Sequence, residues 1–264
     1  MPELWINGQP ASADDLIHQV LHPYGAFTSF RIEEGGARGL GLHLERLVRS
    51  SDELFGVPVS EDLLRERMRQ ALGGRSEAWL RVSLFSRDIW MRQAHAMVEP
   101  GVMVAVFEPP AALAGDLRLH PQTYAREAAH LKHAGTFGLM RARRLARQAG
   151  YDDAVFVGED GAISEGSVWN IGFLQGDHVV WPEAAMLDGV AQAVIRRGLN
   201  AAGWTDEQRV VRLEDLDQFD GAFICNSATP AAGVTAIGPV KWAADASRID
   251  RLAAIWTAAP VEIV

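Results

Sequence analysis

The chain has 264 residues, 48% of them hydrophobic and 22% charged, and a formal net charge of −9. That length suffices for one large domain or two small ones, each around a packed core. The acidic balance argues against a nucleic-acid partner, which requires a basic face to displace phosphate counterions, and no apolar run reaches the roughly 18 to 20 residues that span a membrane.

The opening Met1-Pro2-Glu3-Leu4-Trp5-Ile6 lacks the basic start and apolar core of a signal peptide, so a cytoplasmic location is expected. A short strand is predicted at Leu4 to Ile6 before the turn Asn7-Gly8, and an extended run from Ala26 to Glu33 ends at Gly35-Gly36. Leu42, Leu44, Leu47, Val48, Leu54 and Phe55 recur at mostly helical spacing, and a second helix is predicted from Glu61 to Leu72 before Gly73-Gly74. Strands return at Ala78 to Phe85 and Val102 to Phe107, an α+β order rather than a regular βαβ series. Consecutive prolines at Pro109-Pro110 forbid both helix and central strand, so residues 108–116 are expected to link an N-terminal unit, 1–107, to a C-terminal one, 117–264.

Beyond the linker, a helical run from Leu139 to Gln148 carries Arg141, Arg143, Arg144 and Arg147, whose spacing fits a solvated face as well as an anion site. Strands are predicted at Asp153 to Val157, Val168 to Leu174 and His178 to Trp181, with Glu159-Asp160-Gly161 and Gln175-Gly176-Asp177 as turns. A helix from Val190 to Leu199 follows Asp188-Gly189, and a buried strand from Gly221 to Cys225 runs into the polar loop Asn226 to Pro230. Cys225 is the only cysteine, which excludes an internal disulfide, a zinc quartet or a redox pair; it reads as a buried thiol, and no metal site is expected.

Lys132 and Lys241 are the only lysines in a chain whose other basic side chains are arginine. Arginine cannot replace lysine where an amine must lose its proton and attack a carbonyl, so Lys132, in Ala128-Ala129-His130-Leu131-Lys132-His133-Ala134-Gly135, is a candidate nucleophile. Lys241 reads as a surface residue. Glu165, placed between two strands and beside Gly166, is a candidate acid where backbone can approach a ligand closely. Arg46, on the amphipathic helix around His43-Leu44-Glu45-Arg46-Leu47, suits a phosphate. Asp188-Gly189-Val190 and Asn226-Ser227-Ala228-Thr229 are potential anion cradles.

Taken in order, these residues make the chain similar to fold-type IV pyridoxal-phosphate enzymes, the group of branched-chain and D-amino acid aminotransferases and aminodeoxychorismate lyases. The resemblance runs from about Tyr24 to Thr235. It is most specific from Asp153 to Asn170, where the strand Ala154-Val155-Phe156-Val157, a turn, Gly161, Ile163, Glu165-Gly166 and Asn170 match the family pattern. The resemblance implies a two-domain α+β fold of the D-amino acid aminotransferase type, with a smaller N-terminal domain, a larger C-terminal domain and a pyridoxal 5'-phosphate site at their interface. It implies that Lys132 forms the Schiff base, that Glu165 partners the pyridine nitrogen, and that Arg46, the backbone at Gly189, Val190 and Ala191, and Ser227, Ala228 and Thr229 hold the phosphate. Gly166, Ser167 and Asn170 belong to the same cofactor-binding stretch, and a homodimer is implied.

Four departures bear on the subfamily. Phe137 stands where branched-chain aminotransferases have a tyrosine, and Ala191 where the family usually has threonine. Lys132-His133 resembles the lyases, but Ala134-Gly135 replaces their Leu-Asn. Thr28, in Tyr24-Gly25-Ala26-Phe27-Thr28-Ser29-Phe30-Arg31, is the lyase residue where many aminotransferases carry glutamate. Tyr24, Phe27 and Trp90 are candidates for an apolar substrate pocket or for the core, and Arg87 and Arg92 for a substrate carboxylate or the surface. The expected reaction is amino-group transfer between an amino acid or amine and a 2-oxo acid. The alternatives are a lyase releasing pyruvate to give 4-aminobenzoate, supported by Thr28 and Lys132-His133, and a cofactor-binding protein without turnover, suggested by Phe137 and Ala191.

Overall fold

The computed structural model describes residues 3–264. The chain divides into two compact units: residues up to Ala111 with Leu131–Gly135 and Pro260–Val264, and Ala112–His130 with Thr136–Ala259. The lysine segment and the C-terminal strand thus belong with the first unit, although each is far from the rest of it in sequence.

The first unit holds β1 (Glu3–Ile6), β2 (Gln9–Pro10), α1 (Ala13–Leu21), β3 (Ala26–Ile32), β4 (Gly36–Arg38), α2 (Leu40–Phe55), α3 (Glu61–Leu72), β5 (Ala78–Phe85) and β6 (Gly101–Phe107). Its sheet runs β2-β1-β6-β5-β3, every neighbouring pair antiparallel. Strict alternation decides which side of β3 is buried: Ala26, Thr28, Phe30 and Ile32 turn inward, while Phe27, Ser29 and Arg31 are half-exposed. Phe30 and Ile32 join Leu40, Leu44 and Leu47 of α2 and Leu64 and Met68 of α3 in one core. Glycines Gly56 and Gly73 end α2 and α3 in left-handed geometry, and the Ser60 hydroxyl accepts from the Leu63 amide to cap the start of α3.

The second unit contains β7 (Leu117–Thr123), α4 (Phe137–Gln148), β8 (Asp153–Val157), β9 (Ile163–Gly166), β10 (Asn170–Gln175), β11 (His178–Pro182), α5 (Val190–Leu199), β12 (Thr205–Arg209), β13 (Gly221–Cys225), β14 (Ala232–Ile237), β15 (Val240–Lys241) and α6 (Ala246–Ala258). The last strand, β16 (Val261–Ile263), pairs with β4 of the first unit. Six strands form a closed ring, β10-β13-β14-β7-β8-β9, because β9 pairs back to β10 through Glu165 and Asn170. Alternation then sorts side chains into two environments. Leu119, Val155, Ile163, Ile171, Phe173, Ile224 and Val234 share one buried cluster. Leu174, Phe223 and Cys225 pack with α5 and α6, and Ala154 and Phe156 pack with α4. Cys225 is fully buried, and burial pushes its thiol pKa up, so it is an inert packing group.

The expected strand at Val168 to Leu174 starts only at Asn170, since residues 166–169 reverse the chain between β9 and β10. Helices α1 and α6 and strand β7 have no counterpart in the sequence-based prediction, although the carboxylate of Asp15 and that of Asp245 accept backbone N–H groups at the starts of the two helices. Pro121 makes β7 read as a loop; there it pairs opposite Val155 and adds only its carbonyl to the ladder. Among the described residues no helix is long and apolar enough to cross a membrane.

Candidate active site

Lys132 is held by its neighbours. Phe27 donates its amide to the Lys132 carbonyl at 2.9 Å, Ala134 donates to the Gly25 carbonyl at 2.8 Å, and His133 bridges to Ala26. These bonds lay residues 132–134 along the start of β3 and leave the lysine half-exposed, its Nζ 5.1 Å from the centre of the Phe27 ring. Lys241, on β15 opposite Ala236 of β14, turns an exposed side chain outward.

Thr28 faces the core, so its hydroxyl needs buried partners, and one turn of α2 supplies both. The hydroxyl lies 2.6 Å from His43 Nδ1 and accepts from Arg46 Nη2 at 2.5 Å. A hydroxyl that accepts from the guanidinium has its one proton left to give, so His43 Nδ1 is the acceptor and the ring proton sits on Nε2. Arg46 is only 6% exposed, and His43 and Thr28 are fully buried. Burial first, then the positive charges of Arg46 and Lys132, hold the His43 pKa well below its ordinary value, so the imidazole is neutral at pH 7. His43 is a site residue that the sequence reading quoted only as context for Arg46.

The substrate candidates of the first unit separate. The Tyr24 hydroxyl donates to the Leu54 carbonyl at 3.1 Å, and its ring meets Phe55 edge-on. Arg87 pairs with Asp15. Arg92 is exposed in a short 3-10 turn, Met91–Gln93. Phe27 has a different neighbour, Arg81, whose guanidinium carbon stacks 3.6 Å above the ring centre. Arg81 is half-buried, its pKa is lowered by that burial, and it has no acidic partner among the described residues. Trp90 packs its ring against His18 and His22 and is nearly half-exposed.

In the second unit Glu165 lies within strand β9, where the sequence reading placed it between two strands; the Ile163-Ser164-Glu165-Gly166 stretch is short but pairs on both sides, with β8 and with Asn170. Its carboxylate is 6% exposed. Arg126 Nε donates to Oε1 at 3.0 Å, and the Leu187 amide donates to Oε2 at 3.2 Å. Arg126 also donates to the Ala129 carbonyl. This buried ion pair was missed from the sequence, which separates its members by 39 positions.

Asn170 completes the hold on Leu187 by donating Nδ2 to its carbonyl at 2.9 Å, and a Cβ on Gly189 would overlap the Asn170 amide oxygen. Gly189 opens α5 with no side-chain cap, so the first N–H groups of Val190 and Ala191 carry the positive end of the helix dipole. The loop after β13 is more self-contained. The Asn226 amide oxygen accepts from the backbone of Ala228 and Thr229 at 2.9 and 2.8 Å, and the Thr229 hydroxyl accepts from Leu113 at 2.8 Å. Ser227 stands at the tip of this turn. Ser167 points elsewhere: its hydroxyl donates to buried Asp153 at 2.8 Å. Of the basic residues on α4, Arg141, Arg144 and Arg147 are exposed, as a solvated face requires, while Arg143 reaches Asp153 at 3.6 Å. Phe137 begins α4 and is 80% exposed.

A closed ring of strands carrying a buried carboxylate, an uncapped helix N-terminus, and a lysine held on a separate α+β unit define a class of two-unit enzyme fold. The sequence matches the amino-transferase class IV family over residues 25–237, and the chain belongs to that family. It is 24% identical over 251 residues to a probable branched-chain-amino-acid aminotransferase of Rickettsia bellii (strain RML369-C), covering 89% of this chain and 86% of the relative. It is 25% identical over 268 residues to the aminodeoxychorismate lyase of Bacillus subtilis (strain 168), covering 90% and 88%. Its fold is similar, with a TM-score of 0.79 at 22% identity over 97% of this chain and 98% of the other, to the PLP-bound form of a hypothetical aminotransferase from Mycobacterium tuberculosis.

Proposed function

We propose that the protein is a pyridoxal-phosphate-dependent transaminase that passes an amino group between an amino acid or amine and a 2-oxo acid, with Lys132 carrying the cofactor. The observation that carries this reading is the contrast between the two lysines of a class IV family member: Lys132 is half-buried beside the Phe27 ring in a segment paired to the start of β3, and Lys241 is exposed on the short strand β15. The structures of the fold and the names of the relatives support the cofactor and the substrate class.

The residues fit the group. Arg46 and the amides of Val190 and Ala191 are cation and donors suited to a phosphate, and Gly189 opens α5 without a side-chain cap over those amides. Bound pyridoxal phosphate supplies a protonated ring that accepts electrons from a bond breaking at the substrate Cα. Glu165, paired with Arg126 at 3.0 Å, would be the partner of the ring nitrogen. Lys132 would be the residue to hold the cofactor and, as a free amine, to move the proton from the substrate Cα. Arg81, a desolvated cation without an acidic partner among the described residues, receives a substrate carboxylate beside Phe27.

Thr28 and the Bacillus subtilis relative favour a second reading, a lyase that eliminates pyruvate. The hydroxyl of Thr28 is committed to His43 and Arg46, which leaves no proton to guide an elimination and supports transfer. Borohydride reduction followed by peptide mapping tests the site: the label is expected on Lys132, and a label on Lys241 overturns it. A donor alone is expected to convert the cofactor fully to its amine form, reversed by a 2-oxo acid; release of pyruvate from an aminochorismate without that conversion would establish the lyase.

A further inference from the structure

Asp153 is a carboxylate 2% exposed at the start of β8, and the chemistry assigned above does not use it. It is surrounded by donors. Ser167 Oγ lies 2.8 and 2.9 Å from its two oxygens, Trp169 Nε1 donates at 3.0 Å, the Ala154 amide donates at 2.8 Å, and Arg143 Nε is 3.6 Å away. A buried carboxylate gains its stability only from donors held in place, and those donors are held in turn by the carboxylate.

Two of the donors, Ser167 and Trp169, lie in the chain reversal that joins Glu165 to Asn170. The reversal is closed by the Gly166 amide donating to the Trp169 carbonyl at 3.0 Å. The indole lies so close over Gly166 that a Cβ there would overlap it. With the reversal fixed, Glu165 and Asn170 pair as the one link between β9 and β10, and their side chains grip the amide and the carbonyl of Leu187. The position of the Glu165 carboxylate and the path of the chain into Gly189 are therefore set by one turn.

We propose that Asp153 is a positioning residue for Glu165: by locking the 166–169 reversal through Ser167 and Trp169, it sets the Glu165 and Asn170 side chains on the Leu187 backbone. This rests on the reading that Glu165 serves the cofactor ring and the Gly189 to Ala191 backbone its phosphate. Asp153 touches neither. Its effect passes through the turn.

The test uses the full chain with Trp169→Phe, which keeps an aromatic ring and removes the indole donor, and Asp153→Asn, which removes the charge. Amide exchange at Leu187, measured without cofactor, is expected to quicken about tenfold or more in both variants, because the bond to Glu165 opens more often. With pyridoxal phosphate added, kcat is expected to fall with little change in KM for the amino donor, and the pH at which the visible absorbance titrates is expected to move; Asp153→Glu should restore part of both. If Asp153→Asn does not fold, Trp169→Phe decides. Wild-type exchange rates at Leu187 in Trp169→Phe, or a loss of melting temperature with an unmoved absorbance titration, overturn the proposal. A wild-type protein that takes up no pyridoxal phosphate overturns the functional reading instead, and the exchange measurement still decides whether Asp153 positions Glu165.

Discussion

The two units keep their buried polar groups by opposite means. In the first, Thr28, His43 and Arg46 hydrogen-bond one another within a single strand and a single helical turn, and the histidine is neutral. In the second, the charge of Glu165 is answered by Arg126 from 39 positions away and by the Leu187 backbone from 22 positions away. A local network tolerates movement elsewhere in the chain, because all its members travel together. A network assembled from distant segments depends on every segment that brings a member to it, and it is there that loss of a partner should cost most.

Lys132 is fixed through its backbone, and its replacement sets the scale. Lys132→Ala is expected to lower amino-transfer rates by about a thousandfold or more, because no other side chain in the first unit offers an amine to the cofactor. Rates measured with the purified variant, loaded with pyridoxal phosphate, check this; activity within tenfold of the wild type would move the chemistry to Lys241.

Next in size come the members of the second network. Glu165→Gln keeps the shape and one acceptor but removes the charge, so the cofactor is expected to bind while turnover falls about a hundredfold. Arg126→Met leaves the Glu165 charge buried without its guanidinium and is expected to destabilise the protein by about 3 to 5 kcal/mol in denaturant titration. Combining Arg126→Met with Glu165→Gln should recover most of that loss, since the stranded charge is gone. Additive losses in the double variant would mean that Arg126 stabilises by packing rather than by pairing.

The contrast also explains what was legible in the sequence. The His43-x-x-Arg46 spacing places both side chains on one face of α2, and the alternation of β3 turns Thr28 toward the same core, so the first network follows from local periods. The fold was legible where those periods are long, as in α2, α3, β3 and β5. Arg126 carried no such signal, because nothing local marks a loop residue whose partner lies on a distant strand. The same holds for the closure of the β7 to β14 ring through Glu165 and Asn170, a single residue pair, and for the commitment of Ser167 to Asp153 rather than to a ligand. Asp153 itself looked like the polar start of a strand.

Arg46→Ala tests the first network at moderate size. Loss of a charge-assisted hydrogen bond to phosphate is worth about 1.5 to 3 kcal/mol, or roughly a tenfold to hundredfold weakening of cofactor affinity. The chemical step in the saturated enzyme should change less, because Arg46 does not touch the reacting carbon. Unchanged affinity in a cofactor titration would limit Arg46 to its partnership with Thr28.

The smallest effect separates the two networks by pH. His43 is the titratable group that the first network holds neutral, and in the unfolded chain it returns to an ordinary value near 6.5. Between the two values the unfolded chain takes a proton that the native imidazole refuses. The contribution is therefore complete above about pH 6.5 and is lost as pH falls through that window, by at most about 1.4 kcal/mol for each pH unit from this one group. His43→Asn keeps an acceptor near the Thr28 hydroxyl and removes the titration, so urea midpoints measured from about pH 7 down to pH 5 should fall less steeply for the variant than for the wild type. Both proteins will share the losses caused by other groups, and the difference in slope isolates His43. Parallel curves would mean that the native protein admits the proton, that Arg46 moves to make room for it, and that the first network is less rigid than its short bonds imply.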